Sequence, residues 1–334
     1  MSLVRYSFFL VIPLSVFVSL YGNQWFSFTA LLTAFGLLPF LELFLKPNKK
    51  NLDPSKEINF RSSRFFDLWL YLNIPIVFYA LFLYLGSVHS GGLSFIELVG
   101  KTLAVGILFG VNGINVAHEL GHRKEPYHQW MAQILLLSSL YAHFFIEHNR
   151  GHHLNVSTPE DPSSARYRES IYHFWWRSVT QTYLSAWHLD WKHMLVLQLT
   201  QATWVALLFY FFQFDSLFYL GASVIGFLLL ESVNYIEHYG LTRNKVSETR
   251  YEKAKPQHSW NSNHPMGRLV LFELSRHSDH HYQPQRPYQI LRHHDESPQM
   301  PTGYPGMILL ALIPPLFFNV MDEQMSKFGL REQN

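Results

Sequence analysis

The sequence predicts an all-α integral-membrane protein in which six transmembrane helices carry a histidine-rich cytoplasmic cap. Three observations lead to this fold class: long apolar stretches almost free of charge, basic residues confined to alternate connections, and histidines grouped at metal-ligand spacing. The 334 residues are 48% hydrophobic and 16% aromatic, and very apolar stretches alternate with very polar ones. We expect one integral-membrane domain over residues 1–334.

Six stretches mostly approach the roughly 20 residues that a helix needs to cross a bilayer. They cover residues 7–22, 26–45, 66–86, 102–117, 194–213 and 217–236. The first is short and follows Arg5, as in a signal peptide. It has no convincing small-residue cleavage site and the second span begins within a few residues, so we expect it to be retained.

The connections between these stretches predict the orientation. The loop over residues 46–65 carries six lysine or arginine residues, whereas the connections around Asn23, over 87–94 and around Asp215 carry none. By the positive-inside rule, the N-terminus and this loop are cytoplasmic. The cap then comprises residues 118–193 and 237–334.

An apolar run over residues 130–146 tests this topology. If it crossed the membrane, the histidines before and after it would lie on opposite sides. Its length is marginal, and Gln133 and His143 interrupt it. We therefore expect it to lie along the interface or inside the protein.

Three histidine boxes read HELGH, HNRGHH and HSDHH. They supply His118, His122, His148, His152, His153, His277, His280 and His281. Residues three and four apart share a helix face, so each box is expected to aim its imidazoles at one point. Imidazole suits iron, copper, zinc and nickel. A zinc site needs at most four protein ligands, so this supply indicates two metals.

Four acidic residues stand beside histidines: Glu119, Glu147, Glu237 and Asp279. Ligating histidines usually give their second ring N–H to a carboxylate or a carbonyl. We predict that these carboxylates orient the imidazoles, although one could bind metal directly. The alternative for each is a solvated charge at the interface.

Other classes of protein fit less well. HELGH matches the H-E-x-x-H signature of zinc metalloproteases, but a protease leaves six or seven clustered histidines unexplained. A metal transporter would place its ligands inside the spans, whereas these boxes follow the spans on one side. The net charge of +2 and the absence of a recognition fold give no indication of nucleic-acid binding.

Longer segments resemble a known family. HELGHR, FFIEHNRGHH, NYIEHYGL, HSWNSNH, RHSDHH and PTGYPGM resemble the integral-membrane alkane hydroxylases (alkane 1-monooxygenases), relatives of the fatty acid desaturases. The resemblance runs from the second span to about Met321. It is specific because several long matches without histidine join three boxes of matched spacing.

The resemblance implies a non-haem di-iron centre in the cap, at the cytoplasmic side of a bacterial inner membrane. It would use dioxygen and two electrons to hydroxylate the terminal methyl of a medium- or long-chain n-alkane. By position, the two irons would be held by the eight box histidines and by His238 of NYIEHYGL. A related di-iron acyl-chain desaturase or hydroxylase, or an aromatic-methyl monooxygenase, shares the boxes. NYIEHYGL and SWNSNH favour the alkane hydroxylase.

The electrons must come from a partner. The chain has no cysteine for an iron-sulfur centre and no dinucleotide-binding glycine motif. The resemblance implies rubredoxin, served by an NADH-dependent reductase. A basic surface for an acidic carrier could be formed by Arg123, Lys124, Arg150, Arg276, Arg286 and Arg292. The same residues could contact lipid headgroups.

The substrate would enter from the bilayer through a narrow apolar channel. In the resembled family, a side chain on the second span limits substrate length, and aligning TAFGLLPFLE with that segment places Ala34 there. A small residue suggests a deeper channel and longer alkanes. Small residues in membrane helices also serve helix packing.

Overall fold

The computed structural model describes residues 3–248 and 250–330, which are mostly helical. The α-helices are α1 (Val11–Tyr21), α2 (Thr29–Leu32), α3 (Leu38–Glu42), α4 (Pro54–Ser62), α5 (Phe65–His89), α6 (Phe95–Leu108), α7 (Asn115–Gly121), α8 (Pro126–Leu137), α9 (Phe144–Glu147), α10 (His153–Asn155), α11 (Ile171–Leu189), α12 (Trp191–Phe212), α13 (Leu217–His238), α14 (Pro265–Val270), α15 (His277–Tyr282), α16 (Tyr304–Ala311) and α17 (Pro314–Lys327). Two short antiparallel strands, β1 (Lys245–Ser247) and β2 (Arg250–Tyr251), pair in the cap.

Shorter helical turns join these elements. The 3₁₀ turns are Leu3–Leu10, Gln24–Phe28, Gln213–Ser216, Pro256–His258 and Tyr288–Ile290. Three wider π turns continue α-helices at Thr33–Leu37, Phe109–Ile114 and His148–His152. A π turn inserts an i→i+5 hydrogen bond and often marks a functional site, because it changes which residues share a helix face.

Four helical stretches of the described chain are long and apolar enough to cross a membrane. They are Gln24–Glu42, Phe65–His89, Phe95–Gly121 and Trp191–His238. The last has 48 residues and contains both α12 and α13. The first predicted span corresponds to a shorter apolar helix, Arg5–Tyr21. The protein is therefore an integral-membrane protein by helix length and composition, and the count of six crossings stays a prediction.

The apolar run over residues 130–146 does not form one helix. Helix α8 ends at Leu137, and Leu140 then adopts a left-handed φ of 53° before α9 begins at Phe144. A chain broken in this way is too short on either side to cross a bilayer. This agrees with the prediction that the run does not span.

Close packing of α6 on α13 brings two histidine-bearing segments together. A β-carbon added at Gly106 would lie 2.5 Å from Cβ of Ile225, and one at Gly226 would lie 2.8 Å from Cβ of Phe109. Small residues let membrane helices approach to this distance. Because His118 follows α6 and its π turn, and His238 ends α13, this contact places both on the same side of the bundle.

The buried apolar residues form two clusters. The larger lies between the membrane helices and includes Phe66, Leu81 and Phe109. The smaller lies in the cap, where Trp260 and Phe317 pack with residues of α13 and α16. The histidine boxes lie where the membrane helices meet the cap.

Candidate metal centre

Nine imidazoles converge in two groups. The five-histidine group contains His118, His122, His148, His153 and His280, and the four-histidine group contains His152, His238, His277 and His281. Within each group the ligand atoms all lie within 4.8 Å of one another. The structure thus brings together every histidine that the sequence singled out.

In the five-histidine group the Nε2 atoms face one another. His118 Nε2 lies 2.8 Å from His280 Nε2, and His153 Nε2 lies 3.0 Å from His148 Nε2 and 3.2 Å from His122 Nε2. A neutral imidazole donates only one hydrogen bond. Hydrogen bonds among the rings therefore cannot explain why His153 Nε2 lies close to the Nε2 atoms of both His148 and His122.

These distances fit a shared metal ion. With metal–nitrogen bonds of roughly 2.1 Å, two ligands at a right angle have nitrogens about 3.0 Å apart. The observed contacts between Nε2 atoms span 2.8 to 3.2 Å. The Nδ1 atoms of His153 and His280 are buried without a hydrogen-bond partner in the described part of the chain. The donor set therefore fits metal binding through Nε2.

The four-histidine group has the same character. His152 Nε2 lies 3.2 Å from His281 Nε2, and His238 Nε2 lies 3.1 Å from His277 Nε2. Glu237 Oε2 lies 3.2 Å from His277 Nε2, so a carboxylate oxygen joins this group. All four imidazoles are buried.

The expectation that each box aims at one point is correct for His118 and His122 and wrong for the other two boxes. His148 and His153 belong to one group, while His152 belongs to the other. The reason is the π turn over His148–His152, whose wide turn brings residues five apart onto one face.

In the third box, His277 and His281 are four residues apart on α15 and share the four-histidine group. His280 points to the five-histidine group instead. The boxes HNRGHH and HSDHH therefore each contribute histidines to both groups. The backbone of the π turn and the backbone of α15 thus connect the two candidate metal positions.

Burial keeps six of the box imidazoles neutral. It lowers the pKa of His122 to about 3, since desolvation disfavours the imidazolium, and the neighbouring His152 lowers the pKa further. Burial and the surrounding imidazoles likewise hold the pKa values of His148, His153, His277, His280 and His281 well below the usual 6.5. Metal ligation requires neutral imidazole, so the site is prepared for it at neutral pH.

The four predicted carboxylates are all buried, which excludes the solvated-charge alternative. Glu119 accepts hydrogen bonds from Arg123 Nη2 at 2.7 Å and from the Tyr288 amide at 3.3 Å. Asp279 accepts from His294 Nε2 at 2.7 Å and from the Arg292 amide at 2.8 Å.

Glu147 keeps one oxygen, Oε1, without a partner in the described structure. Glu237 alone of the four reaches a box imidazole, and it does so on the Nε2 side. The prediction that these carboxylates orient the imidazoles by accepting their second ring N–H therefore finds no hydrogen bond to support it among residues 3–248 and 250–330. The Oε2 atom of Glu237 lies instead beside His277 Nε2, the atom that faces the other imidazoles of the four-histidine group.

Asp161 is a candidate site residue that the sequence did not reveal. Its Oδ2 accepts a hydrogen bond from His152 Nδ1 at 2.9 Å, and both side chains are buried. Burial would raise the pKa of Asp161, but His152 and Ser164 outweigh it and lower the pKa. This is the carboxylate–histidine arrangement typical of metal sites. Nine residues separate the two, so no helical spacing pointed to Asp161.

An apolar cavity of about 920 Å³, including its open mouth, ends at the two groups. Its walls include Ala34 and Leu38 of the second predicted span, and its inner end is formed by His118, His148 and His277. Each of the three π turns contributes to the cavity lining. Ala34 comes from the first turn, Gly110 and Val111 from the second, and His148 from the third. Ala34 thus lies in the wall of this cavity, and its predicted contact with a substrate stays a prediction.

Two surface depressions lead to the five-histidine group from outside. One is lined by Arg61, His122 and Lys124, the other by His122, Arg150 and His153. Arg276 does not belong to this surface, and its predicted role there is wrong. It is 2% exposed and donates hydrogen bonds to the carbonyls of Leu291 and Lys50.

A bundle of apolar helices with nine converging imidazoles beside an apolar cavity defines a membrane protein of the histidine-box class with a candidate metal centre. The sequence profile described as fatty acid desaturase matches residues 94–311, which include all nine histidines. The chain belongs to this family and, within it, to the alkane 1-monooxygenases.

Three relatives show how close the similarity is. An alkane 1-monooxygenase of Pseudomonas putida is 41% identical over 308 residues, covering 87% of this chain and 76% of the relative. Alkane 1-monooxygenase 2 of Pseudomonas aeruginosa is 37% identical over 343 residues, covering 96% and 90%. The xylene/toluene monooxygenase hydroxylase component of Pseudomonas putida is 29% identical over 274 residues, covering 76% and 72%. The predicted family resemblance is confirmed.

Proposed function

We propose that this protein is an alkane 1-monooxygenase that converts medium- or long-chain n-alkanes into 1-alkanols. One dioxygen, two electrons and two protons give the alcohol and one water. The observation that carries this proposal is the apolar cavity that runs along the second span and ends at the histidine groups. The named alkane 1-monooxygenases at 35% to 41% identity support it.

The two groups would hold one iron each, the first through five imidazoles and the second through four imidazoles and Glu237. Iron, when bound, supplies the dioxygen and one-electron chemistry that an unactivated C–H bond requires and that zinc lacks. Tyr304 donates a hydrogen bond to Glu237 Oε1 at 2.6 Å, which leaves Oε2 directed at His277. Burial first, and then Glu237, raise the pKa of Tyr304 well above its usual value, so this donor stays protonated.

The cavity would bind the alkane by burying its methylene groups, each worth about 0.8 kcal/mol. Apolar side chains such as Leu38, Val111 and Ile308 line its length, and polar groups are concentrated at the histidine end. An alkane inserted from the bilayer would present its terminal methyl there, while the walls hold the weaker internal C–H bonds away. Positioning of this kind supplies regioselectivity.

Electrons would enter at the five-histidine group, because His122 and His153 are half-buried and line the two depressions. The rim carries the exposed basic residues Lys124 and Arg150. Charge of this sign favours docking of an acidic carrier. We propose rubredoxin, reduced by its NADH-dependent reductase, as that carrier.

The same proposal includes six crossings with the cap at the cytoplasmic side of a bacterial inner membrane. Counting Arg5–Tyr21 as the first crossing, and α12 and α13 as separate crossings, gives six. The basic loop over residues 46–65 supports the orientation.

An aromatic methyl group is the second candidate substrate, because the xylene/toluene enzyme component is also similar to this chain. Membranes carrying the protein, supplied with rubredoxin, reductase and NADH, should be given n-alkanes, p-xylene and an acyl chain in parallel. We expect 1-alkanols and about two irons per chain. A benzyl alcohol from p-xylene, or an unsaturated or hydroxylated acyl chain, made by an iron-loaded protein that makes no alkanol would contradict the proposal.

A further inference from the structure

Glu42 is a buried carboxylate that the proposed chemistry does not use. It ends α3 in the second predicted span and is 4% exposed. An ionisable residue in a membrane helix is costly and therefore points to a function. Within residues 3–248 and 250–330 its Oε2 has no hydrogen-bond partner, while its Oε1 accepts a hydrogen bond from the Gly267 amide at 2.8 Å.

The carboxylate touches the cap at two places. Gly267 belongs to α14, and Gly303 directly precedes α16. A β-carbon added at Gly303 would overlap Oε2 of Glu42, so only glycine admits the carboxylate there. Glu42 thus lies between two cap segments and the end of the second span.

The same contacts form a wall of the cavity. Leu38, one turn before Glu42, lines the cavity, and so does Ala34 one turn earlier. On the cap side, Gly267 lines it directly, and Tyr304 lines it next to Gly303. Glu42 therefore connects the span that carries Ala34 to the cap segment that carries Tyr304.

We propose that Glu42 is a positioning residue that fixes the second span against the cap and thereby sets the place of Ala34 in the cavity. This inference rests on the proposed function, since it makes Glu42 a determinant of alkane length and of terminal selectivity. The π turn over Thr33–Leu37 makes the position of Ala34 sensitive to this contact, because it interrupts the regular helix between Ala34 and Glu42.

A ladder of n-alkanes tests this with three variants. Glu42→Ala removes the side chain that contacts the cap. Glu42→Gln keeps the size of that side chain and an oxygen that accepts the hydrogen bond from the Gly267 amide. Leu81→Ala is the control, because Leu81 is fully buried in α5 and does not line the cavity. Glu42→Ala should lower kcat/KM for the preferred alkane by about tenfold or more, as small misplacements at a reacting centre do.

The product profile separates positioning from stability. Glu42→Ala should also shift the preferred chain length and release 2-alkanols, with the iron content unchanged, whereas Glu42→Gln should restore the wild-type profile. Leu81→Ala should lower the unfolding temperature without changing the profile. A wild-type chain-length profile in Glu42→Ala would overturn the inference.

A second measurement does not depend on turnover. The chain has no cysteine, so Ala34→Cys provides a single thiol in the cavity wall. Its labelling rate with an apolar maleimide should change in the Glu42→Ala background, because the wall that carries the thiol is displaced, and remain unchanged with Leu81→Ala. An unchanged labelling rate in both backgrounds would overturn the proposal that Glu42 fixes the second span against the cap. If the wild-type chain oxidises no alkane, the proposed function fails, while this labelling still tests Glu42.

Discussion

The Nδ1 atom of His152 lies 2.9 Å from Oδ2 of Asp161, and both side chains are buried. The carboxylate accepts the ring N–H and leaves Nε2 with a free lone pair towards the four-histidine group. Ser163 and Ser164 hold Asp161 in turn, through the amide of Ser163 at 3.0 Å and the hydroxyl of Ser164 at 2.5 Å. One ligand of the candidate centre is thus oriented by a carboxylate from the segment between α10 and α11.

Asp161→Asn should therefore weaken metal binding. Loss of such an orienting carboxylate typically lowers metal affinity by about 10- to 100-fold. Competition with a chelator, followed by iron analysis, measures this. Glu160→Gln is the matched control because Glu160 is an exposed neighbour. Equal iron retention by the two variants would show that Asp161 does not support metal binding by orienting His152.

His280→Ala should abolish turnover and lower the bound iron while the protein still inserts into the membrane. His280 Nε2 lies 2.8 Å from His118 Nε2 in the five-histidine group, so the variant removes one of five donors. His264→Ala is the control, because His264 is buried but belongs to neither group. Retained activity in His280→Ala would exclude His280 as a ligand.

Ala34→Phe should shorten the longest alkane that is oxidised. The added ring would occupy the cavity next to Leu38 and block its deeper part. Leu37→Phe makes a comparable change on the same π turn, where the side chain is 50% exposed and outside the cavity lining. Competition among n-alkanes of graded length measures the cut-off, and an identical cut-off in both variants would argue against substrate binding along Ala34.

Stability should fall in acid partly because of His143. Burial lowers the pKa of His143 from 6.5 to about 3. Between these values the unfolded chain binds a proton that the folded chain does not, so this contribution is present above pH 6.5 and is lost as the pH falls towards 3. The slope is about 1.4 kcal/mol per pH unit.

The free energy of unfolding in detergent, measured between pH 7 and pH 4, gives this slope. Most of this range lies between the ordinary pKa of histidine and the lowered pKa of His143. His143→Gln should flatten the pH dependence, whereas substitution of the exposed His188 by glutamine should leave it unchanged. Identical slopes in both variants would show that His143 does not cause the loss.

Lys124→Glu should raise the KM for the reduced carrier and weaken the dependence of the rate on salt, because a rim charge acts mainly on association. Lys124 is exposed and lines the depression that leads to His122. Lys327→Glu, at the end of α17, is the control for net charge. Steady-state rates at varied carrier concentration and ionic strength measure this. Equal KM values in the two variants would contradict docking at this depression.

Histidine spacing predicted the eight box histidines and hydropathy predicted the apolar helices, because both signals are local, whereas His238 was assigned only from the resemblance of NYIEHYGL to the family. The division of the ligands into five and four could not be predicted, since it depends on the π turn over His148–His152. Helical wheels assume 3.6 residues per turn and therefore place His148 with His152. Asp161 was missed because its contact with His152 depends on how a loop folds back.

The burial of Arg276 was missed for a similar reason. In sequence it resembles the other basic residues beside the boxes. In the structure, carbonyl groups of the 46–65 loop and of Leu291 accept hydrogen bonds from the Arg276 guanidinium, which makes its burial possible.

Oxidation of an n-alkane under ¹⁸O₂ tests the central claim most directly. Membranes containing the iron-loaded protein, with rubredoxin, reductase and NADH, should yield a 1-alkanol that carries one ¹⁸O atom, and His280→Ala membranes should yield none. An iron-loaded protein that makes no 1-alkanol, or a 1-alkanol whose oxygen comes from water, would contradict the assignment as an alkane 1-monooxygenase.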